Sequence, residues 1–155
     1  MAVDGKKAPD FNLIDDSGAS VQLSKFKGGP LVVYFYPKDD TSGCTAEAKD
    51  FSCLVDEFAK AGAEIIGISP DSAAAKKKFK AKHGLDLRLA ADEDKKAAEA
   101  YGVWVEKSMY GRTYMGVERS TFLIDKAGRI AKSWRKVKIP GHAGEVLAAL
   151  KALKA

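Results

Sequence analysis

Six consecutive apolar residues, Leu31-Val32-Val33-Tyr34-Phe35-Tyr36, limit the folds open to this chain more than any other segment. A strand with one wet face alternates polar and apolar residues, whereas a run without alternation is typical of a strand buried on both faces. Pro37 ends the run, and a helical pattern of apolar residues extends from near Cys44 to about Ala61. A second buried strand, Ile65–Ile68, follows. The chain is therefore predicted to build a sheet with helices packed against it.

The rest of the chain continues to alternate strand and helix patterns, and turn residues predict a β-hairpin near each end. The further predicted elements are a hairpin of Phe11–Ile14 with Val21–Leu23, a helix from Ser72 to about Gly84, a strand Leu85–Leu89, a helix Glu93–Tyr101, a loop or loose hairpin Val103–Val117, a hairpin of Thr121–Ile124 with Ile130–Trp134, and a last helix His142–Leu153. This order predicts an α/β, thioredoxin-like fold with an N-terminal β-hairpin extension and a mixed central sheet flanked by helices.

Length and charge point to one ordinary domain. The 155 residues suit one hydrophobic core and no repeat or linker divides them, so a single domain over residues 1–155 is predicted. Lys and Arg number 26 against 21 Asp and Glu, a net charge of +5. One dense basic run, Lys76–Lys82, is interpreted as the solvated face of a helix. It lacks the row of aromatic rings that base stacking requires, so no nucleic-acid partner is expected.

Membrane, secretory and metal-binding classes lack their signals. No apolar run approaches the roughly 20 residues of a membrane helix, and no apolar segment follows the first lysines, so we expect a cytoplasmic protein without a membrane partner. The cysteines, Cys44 and Cys53, form no Cys-x-x-Cys pair, and a structural disulfide is not expected. The histidines, His83 and His142, are far apart and are interpreted as surface or helix-terminal groups. Neither a metal nor a cofactor is expected.

The chemistry of the chain is concentrated where the first buried strand gives way to a helix. Cys44 stands at the predicted helix start, where free backbone N–H groups and the positive end of the helix favour a thiolate over a thiol. Thr41 lies three residues earlier, so its hydroxyl can reach the same pocket. Pro37 fixes the chain and presents a ring in place of an N–H group, which can shield the thiol from water.

The pattern Pro37-x-x-x-Thr41-x-x-Cys44 resembles the active-site signature of the peroxiredoxins. The stretch Val33–Thr45 is similar to the bacterioferritin comigratory protein (peroxiredoxin Q) subgroup. The resemblance covers nearly the whole chain, with matching blocks at Ala8–Phe11, Gly67–Ser69, Tyr101–Val103 and Arg119–Asp125.

The resemblance implies a thiol-dependent peroxidase. Cys44 would attack hydrogen peroxide or an organic hydroperoxide and become a sulfenic acid. Thr41 would hold the peroxide oxygens, and Pro37 would shield the pocket. Arg119 matches the family's active-site arginine, whose charge would stabilise the thiolate and the transition state. The resemblance further implies no bound cofactor, a monomer, and regeneration by thiols, with thioredoxin as the expected donor.

The sequence departs from the family in its second cysteine. Family members carry a resolving cysteine five residues after the first, where this chain has Lys49, or on the next helix, which has none. Cys53 remains, nine residues on, at a rise of about 13.5 Å and half a turn out of phase with Cys44. A disulfide needs Cα atoms within about 7 Å, so the helix would have to unwind. Three alternatives remain open for Cys53. It forms a disulfide with Cys44 in the same chain, it forms a disulfide with another chain, or it takes no part and an external thiol reacts with the Cys44 sulfenic acid.

Two other classes of function compete with the peroxidase. A thiol–disulfide exchange module would need a second cysteine where Glu47 stands, and a non-enzymatic redox-sensing module would not need Thr41 and Arg119 around the thiol. Substrate choice would depend on the segment 103–117, where Tyr110, Arg112 and Tyr114 either line the pocket or lie on the loop surface.

Overall fold

The computed structural model describes residues 3–26 and 28–153, which contain nine strands and five α-helices. A 3₁₀ turn, Leu23–Phe26, follows the second strand. The elements are β1 (Asn12–Asp15), β2 (Ser20–Gln22), β3 (Leu31–Phe35), α1 (Ser42–Cys53), α2 (Val55–Lys60), β4 (Glu64–Ser69), α3 (Ala73–His83), β5 (Arg88–Ala91), α4 (Lys96–Ala100), β6 (Trp104–Met109), β7 (Arg112–Val117), β8 (Ser120–Ile124), β9 (Ile130–Trp134) and α5 (His142–Leu153).

Seven of the strands form one mixed sheet in the order β2-β1-β5-β4-β3-β8-β9. The three central strands β5, β4 and β3 are parallel, and antiparallel hairpins complete both edges. The N-terminal hairpin β1–β2 joins through β5, and the hairpin β8–β9 joins through β3. The predicted mixed sheet with an N-terminal hairpin extension is confirmed.

The central strand β3 shows why its sequence carries no polar residue. Val33 and Phe35 enter one hydrophobic core, shared with α4 and the N-terminal hairpin, while Val32 and Tyr34 enter another beneath α1, α2, α3 and α5. All five residues of β3 are buried. The segment that follows β3 therefore emerges between two packed layers, which fixes where the chain re-enters α1.

The single helix predicted from near Cys44 to about Ala61 is in fact two. Helix α1 ends at Cys53, and Leu54 adopts φ −103° and ψ 4° before α2 begins. Phe51 and Phe58, on either side of the break, are fully buried with ring centroids 6.0 Å apart. The apolar period continues across the break, so the sequence pattern does not reveal where α1 ends and α2 begins.

Two further boundaries differ from the prediction. The strand predicted at Leu85–Leu89 is β5, Arg88–Ala91, because Leu85 and Leu87 are buried without sheet pairing in the segment before it. The helix predicted at Glu93–Tyr101 is the shorter α4, since the Asp92 carboxylate accepts the N–H groups of Ala97 and Ala98.

The segment Val103–Val117 forms a hairpin apart from the main sheet. Strands β6 and β7 pair over six positions from Trp104–Val117 to Met109–Arg112. Tyr110 and Gly111 at the turn have φ of 52° and 78°, as a two-residue hairpin turn with both central residues at positive φ requires. The hairpin delivers the chain from Val117 to β8 through Glu118 and Arg119.

Helix α3 corrects the interpretation of the basic run. Ser72 caps its start by accepting the Ala75 N–H, and left-handed Gly84 ends it, as predicted. Lys77 and Lys78 are exposed, but Lys76 is completely buried, so the run is not a uniformly solvated face.

Within the described ranges, no helix has the length and hydrophobicity to cross a membrane.

Candidate active site

Cys44 lies in the first turn of α1, beneath the point where β3 ends. The loop Pro37–Thr41 separates Tyr36, which continues β3, from Ser42, the first residue of α1. The thiol side chain is 1% exposed and packs against the core shared by α1, α3 and α5. Because the first-turn N–H groups have no intrahelical carbonyl partners, this end of the helix favours a negative sulfur.

Arg119 binds Cys44 and Glu47 with the two arms of its guanidinium. Nη2 donates to the Cys44 Sγ at 3.2 Å, and Nη1 donates to Glu47 Oε1 at 2.6 Å. Cys44 and Glu47 are three residues apart in α1, so they lie on one face of the helix. Glu47 is 1% exposed. The planar fork of the guanidinium suits this double contact and fixes where its charge lies relative to the sulfur.

The electrostatics of the site are those of a buried charge cluster. Burial raises the pKa of Glu47 to about 7, although Arg119 acts in the opposite direction. Burial alone would lower the pKa of Arg119, but the charges of Glu47 and Cys44 raise it instead. Two more cations, Lys76 and Lys107, interact electrostatically with Cys44.

Thr41 and Pro37 occupy the two ends of the loop above α1. Thr41 is the N-cap residue of α1, but its hydroxyl makes no capping hydrogen bond and donates to the Lys38 carbonyl at 3.0 Å. The Thr41 side chain is exposed, and Pro37 is half-buried. The Thr41 oxygen, whose hydrogen is donated to Lys38, keeps lone pairs that can accept a further hydrogen bond.

Cys53 lies at the opposite end of α1. Both cysteines are free, and Cys53 is exposed beside a shallow groove lined by Asp50, Leu54, Gly141 and Gly144. Nine residues of intact helix separate the two, a rise of about 13.5 Å. Cys44 faces the core and Cys53 faces solvent, as the predicted half-turn offset between them requires.

The histidines take different positions. His83 ends α3 and bonds the Asp40 carboxylate at 2.8 Å, while His142 begins α5 and is buried. The Nε2 of His142 lies 2.7 Å from Thr121 Oγ1. Both are helix-terminal, as predicted. Among the described residues, no group of three or more His, Cys, Asp or Glu side chains is placed to hold a metal ion.

Sequence reasoning missed two features of the site. The first is Glu47, whose i+3 spacing from Cys44 places a carboxylate on the same helix face. The second is the burial of Lys76, which the run of neighbouring lysines does not indicate. Tyr110, Arg112 and Tyr114 are all exposed on the β6–β7 hairpin, and Lys107 of that hairpin is the residue that interacts electrostatically with Cys44.

Comparison with known proteins identifies the family. Residues 5–133 match the AhpC/TSA family. The chain is 54% identical to Peroxiredoxin Bcp of Bacillus subtilis (strain 168), over 95% of this chain and 94% of the relative. A Xanthomonas campestris bacterioferritin comigratory protein, solved in a study of its alkyl peroxide reduction, superposes with a TM-score of 0.93 at 44% identity over 100% of both chains. Xylella fastidiosa PrxQ gives a TM-score of 0.95 at 38% identity, over 100% of this chain and 99% of that one.

The chain belongs to the AhpC/TSA family, within its Bcp and peroxiredoxin Q group. The predicted thioredoxin-like fold and peroxiredoxin class are confirmed. The protein is a thiol peroxidase, an enzyme that consumes a hydroperoxide and a thiol reductant. The non-enzymatic and thiol–disulfide exchange alternatives are not needed to account for it.

Proposed function

We propose that Cys44 is the peroxidatic thiolate of this enzyme. Its sulfur attacks the terminal oxygen of hydrogen peroxide or an organic hydroperoxide, an S–O bond forms and the O–O bond breaks. The leaving oxygen takes a proton and departs as water or an alcohol, and Cys44 becomes a sulfenic acid. The observation that carries this proposal is the 3.2 Å contact from Arg119 Nη2 to the buried Cys44 Sγ at the start of a helix.

Arg119 stabilises the thiolate and then the charge that spreads along the S–O–O axis. Because the site is buried, a fixed guanidinium acts there with little screening by water. Glu47 positions Arg119 by accepting the Nη1 hydrogen bond at 2.6 Å, which leaves Nη2 directed at the sulfur. A rigid charge at this place needs no reorganisation when the peroxide arrives.

Thr41 and Pro37 complete the pocket from the loop side. The exposed Thr41 hydroxyl can turn from the Lys38 carbonyl to a peroxide oxygen, an exchange of one hydrogen bond for another. Pro37 lies half-buried at the other end of the loop. Because proline has no backbone N–H group, it cannot donate a hydrogen bond that would hold a water molecule there.

Regeneration requires the first turns of α1 to unwind. The Cys44 side chain is 1% exposed, so a partner protein cannot reach its sulfenic acid in the folded helix. Cys53 lies about 13.5 Å along α1, beyond the roughly 7 Å Cα separation that a disulfide allows. After unwinding, Cys53 attacks the Cys44 sulfur, water leaves, and thioredoxin reduces the resulting disulfide. We further propose that the enzyme acts in the cytoplasm as a single-domain monomer.

Mass spectrometry after one equivalent of peroxide tests this sequence of steps. The expected product from the wild-type protein is a monomer with an intramolecular Cys44–Cys53 disulfide. In Cys53→Ser the expected product is a persistent Cys44 sulfenic acid. A persistent sulfenic acid in the wild-type monomer would instead assign resolution to an external thiol. A disulfide-linked dimer would assign it to a second chain. Loss of peroxide consumption in Cys44→Ser is the control for the peroxidatic step.

A further inference from the structure

Three consecutive lysines in α3 have different environments. Lys77 and Lys78 are exposed, whereas Lys76 is 0% exposed. An ammonium group inside a protein loses its hydration and is retained only where charged and polar partners replace it. The position of Lys76 therefore depends on what it binds.

Lys76 binds the residues that flank Pro37. Its Nζ donates to the Tyr36 hydroxyl at 3.0 Å and forms an ion pair with Asp39 Oδ1 at 3.4 Å. It also donates to the Ser69 hydroxyl at the end of β4. The Tyr36 hydroxyl donates to the same Asp39 oxygen at 2.5 Å. One ammonium thus joins the end of β3, the loop Pro37–Thr41 and the end of β4.

Surface contacts of α3 hold the same loop from outside. The Asp40 carboxylate accepts a hydrogen bond from Lys82 Nζ at 2.7 Å, and its other oxygen lies 2.8 Å from His83 Nε2. Asp40 has a φ of 61° and immediately precedes Thr41. Water and salt screen these exposed pairs, so the buried Lys76 contacts contribute most of the restraint.

We propose that Lys76 is a positioning residue for the peroxide reaction. It holds Tyr36 and Asp39 so that Pro37 and Thr41 stand over Cys44 before a hydroperoxide enters. This inference rests on the proposed roles of Cys44 and Thr41. Small displacements of substrate-holding groups slow a reaction strongly, by about a hundredfold for 1 Å.

A pair of lysine variants and two reagents test the proposal. Lys76→Met keeps the length of the side chain and removes its charge, and Lys77→Met makes the same change one residue away on the exposed face. For each, stopped flow measures the rate constant for oxidation of Cys44 by hydrogen peroxide. Alkylation of Cys44 by iodoacetamide, which needs the thiolate but not the peroxide-holding loop, is followed in parallel by peptide mass spectrometry, which separates it from alkylation of the exposed Cys53.

We expect Lys76→Met to slow the peroxide reaction about tenfold to a hundredfold. Alkylation should stay within about threefold of wild type, because Arg119 still accompanies the sulfur. Lys77→Met should leave both rates within about twofold. Combined with Thr41→Val, the Lys76→Met loss should be less than additive, since both act through one hydroxyl.

Two outcomes would overturn the proposal: an unchanged peroxide rate in Lys76→Met, or equal losses in both reactions, which would indicate a general loss of structure or of the thiolate. If circular dichroism shows Lys76→Met unfolded, Asp39→Asn tests the same contact with little change of shape, and an unchanged peroxide rate there would count against the proposal. A Cys44→Ser protein that still consumes peroxide would refute the proposed function itself, whatever the lysine variants show.

Discussion

The two ends of helix α1 place the same side chain in opposite environments. Cys44, in the first turn, is buried, contacts Arg119 and stands at the positive end of the helix. Cys53, the last residue of α1, is exposed at the negative end, and among the described residues its sulfur has no hydrogen-bond partner. The contrast predicts that Cys44, and not Cys53, is the thiol that reacts with peroxide, because only the environment of the sulfur differs between them.

Exchanging each cysteine for serine is expected to have the largest effect. Cys44→Ser should lower peroxide consumption by more than about a thousandfold, because the remaining thiol, Cys53, lacks the contact with Arg119 that would activate it. Cys53→Ser should leave the first oxidation of Cys44 within about twofold, since Cys53 takes no part in that step. Stopped-flow measurement of the initial oxidation checks both, and a large loss in Cys53→Ser would erase the contrast.

Removing the guanidinium should make Cys44 more like Cys53. Arg119→Met is expected to slow oxidation of Cys44 about a hundredfold to a thousandfold, the cost of losing one fixed charge or donor from a buried transition state. The matched control is Arg129→Met, which alters an exposed arginine whose side chain binds the Gly5 carbonyl. Equal rates for the two variants would show that the 3.2 Å contact does not assist the reaction.

Glu47 should make the stability of this end of α1 depend on pH. The folded protein retains a proton on Glu47 up to about pH 7, whereas the unfolded chain releases it near the ordinary pKa of 4.5. The stability from this group is therefore present below pH 4.5 and is lost as the pH rises through about 7, by on the order of 3 kcal/mol.

Denaturant unfolding of wild type and Glu47→Gln at several pH values measures that effect, because the difference between them removes the other titrating groups. We expect wild type to lose stability relative to Glu47→Gln between pH 4.5 and 8. A difference that stays flat, or that changes in the opposite direction, would contradict a raised pKa for Glu47.

Thr41 should have the smallest effect of the four. Thr41→Val keeps the shape of the side chain and removes one hydrogen bond to the peroxide, so a loss of about tenfold in the oxidation rate is expected. Ser42→Ala, at the neighbouring exposed position, controls for changes at the helix start. The two variants should show the same free energy of unfolding within about 1 kcal/mol, since Thr41 makes no capping bond.

The sequence predicts those features of the site that depend on neighbouring residues better than those that depend on contacts between distant residues. The Cys44 and Thr41 positions follow from a strand that ends at a proline and a helix that begins beyond it. The hairpins near the two ends of the chain follow from turn residues such as Asp125-Lys126-Ala127-Gly128. The prediction of Arg119 as a site residue depends on the family resemblance. Arg119 and Cys44 are 75 positions apart in the sequence, and no pattern in a single sequence shows that they are close in space. The break at Leu54 and the burial of Lys76 depend on tertiary packing, which overrides a continuous helical period.

Site-resolved trapping of the sulfenic acid tests the central claim most directly. The reduced protein receives one equivalent of hydrogen peroxide at pH 7 in the presence of dimedone, and peptide mass spectrometry locates the adduct. The account predicts the adduct on Cys44. An adduct on Cys53, or consumed peroxide beside a Cys44 that carries neither the adduct nor a disulfide to Cys53, would contradict it.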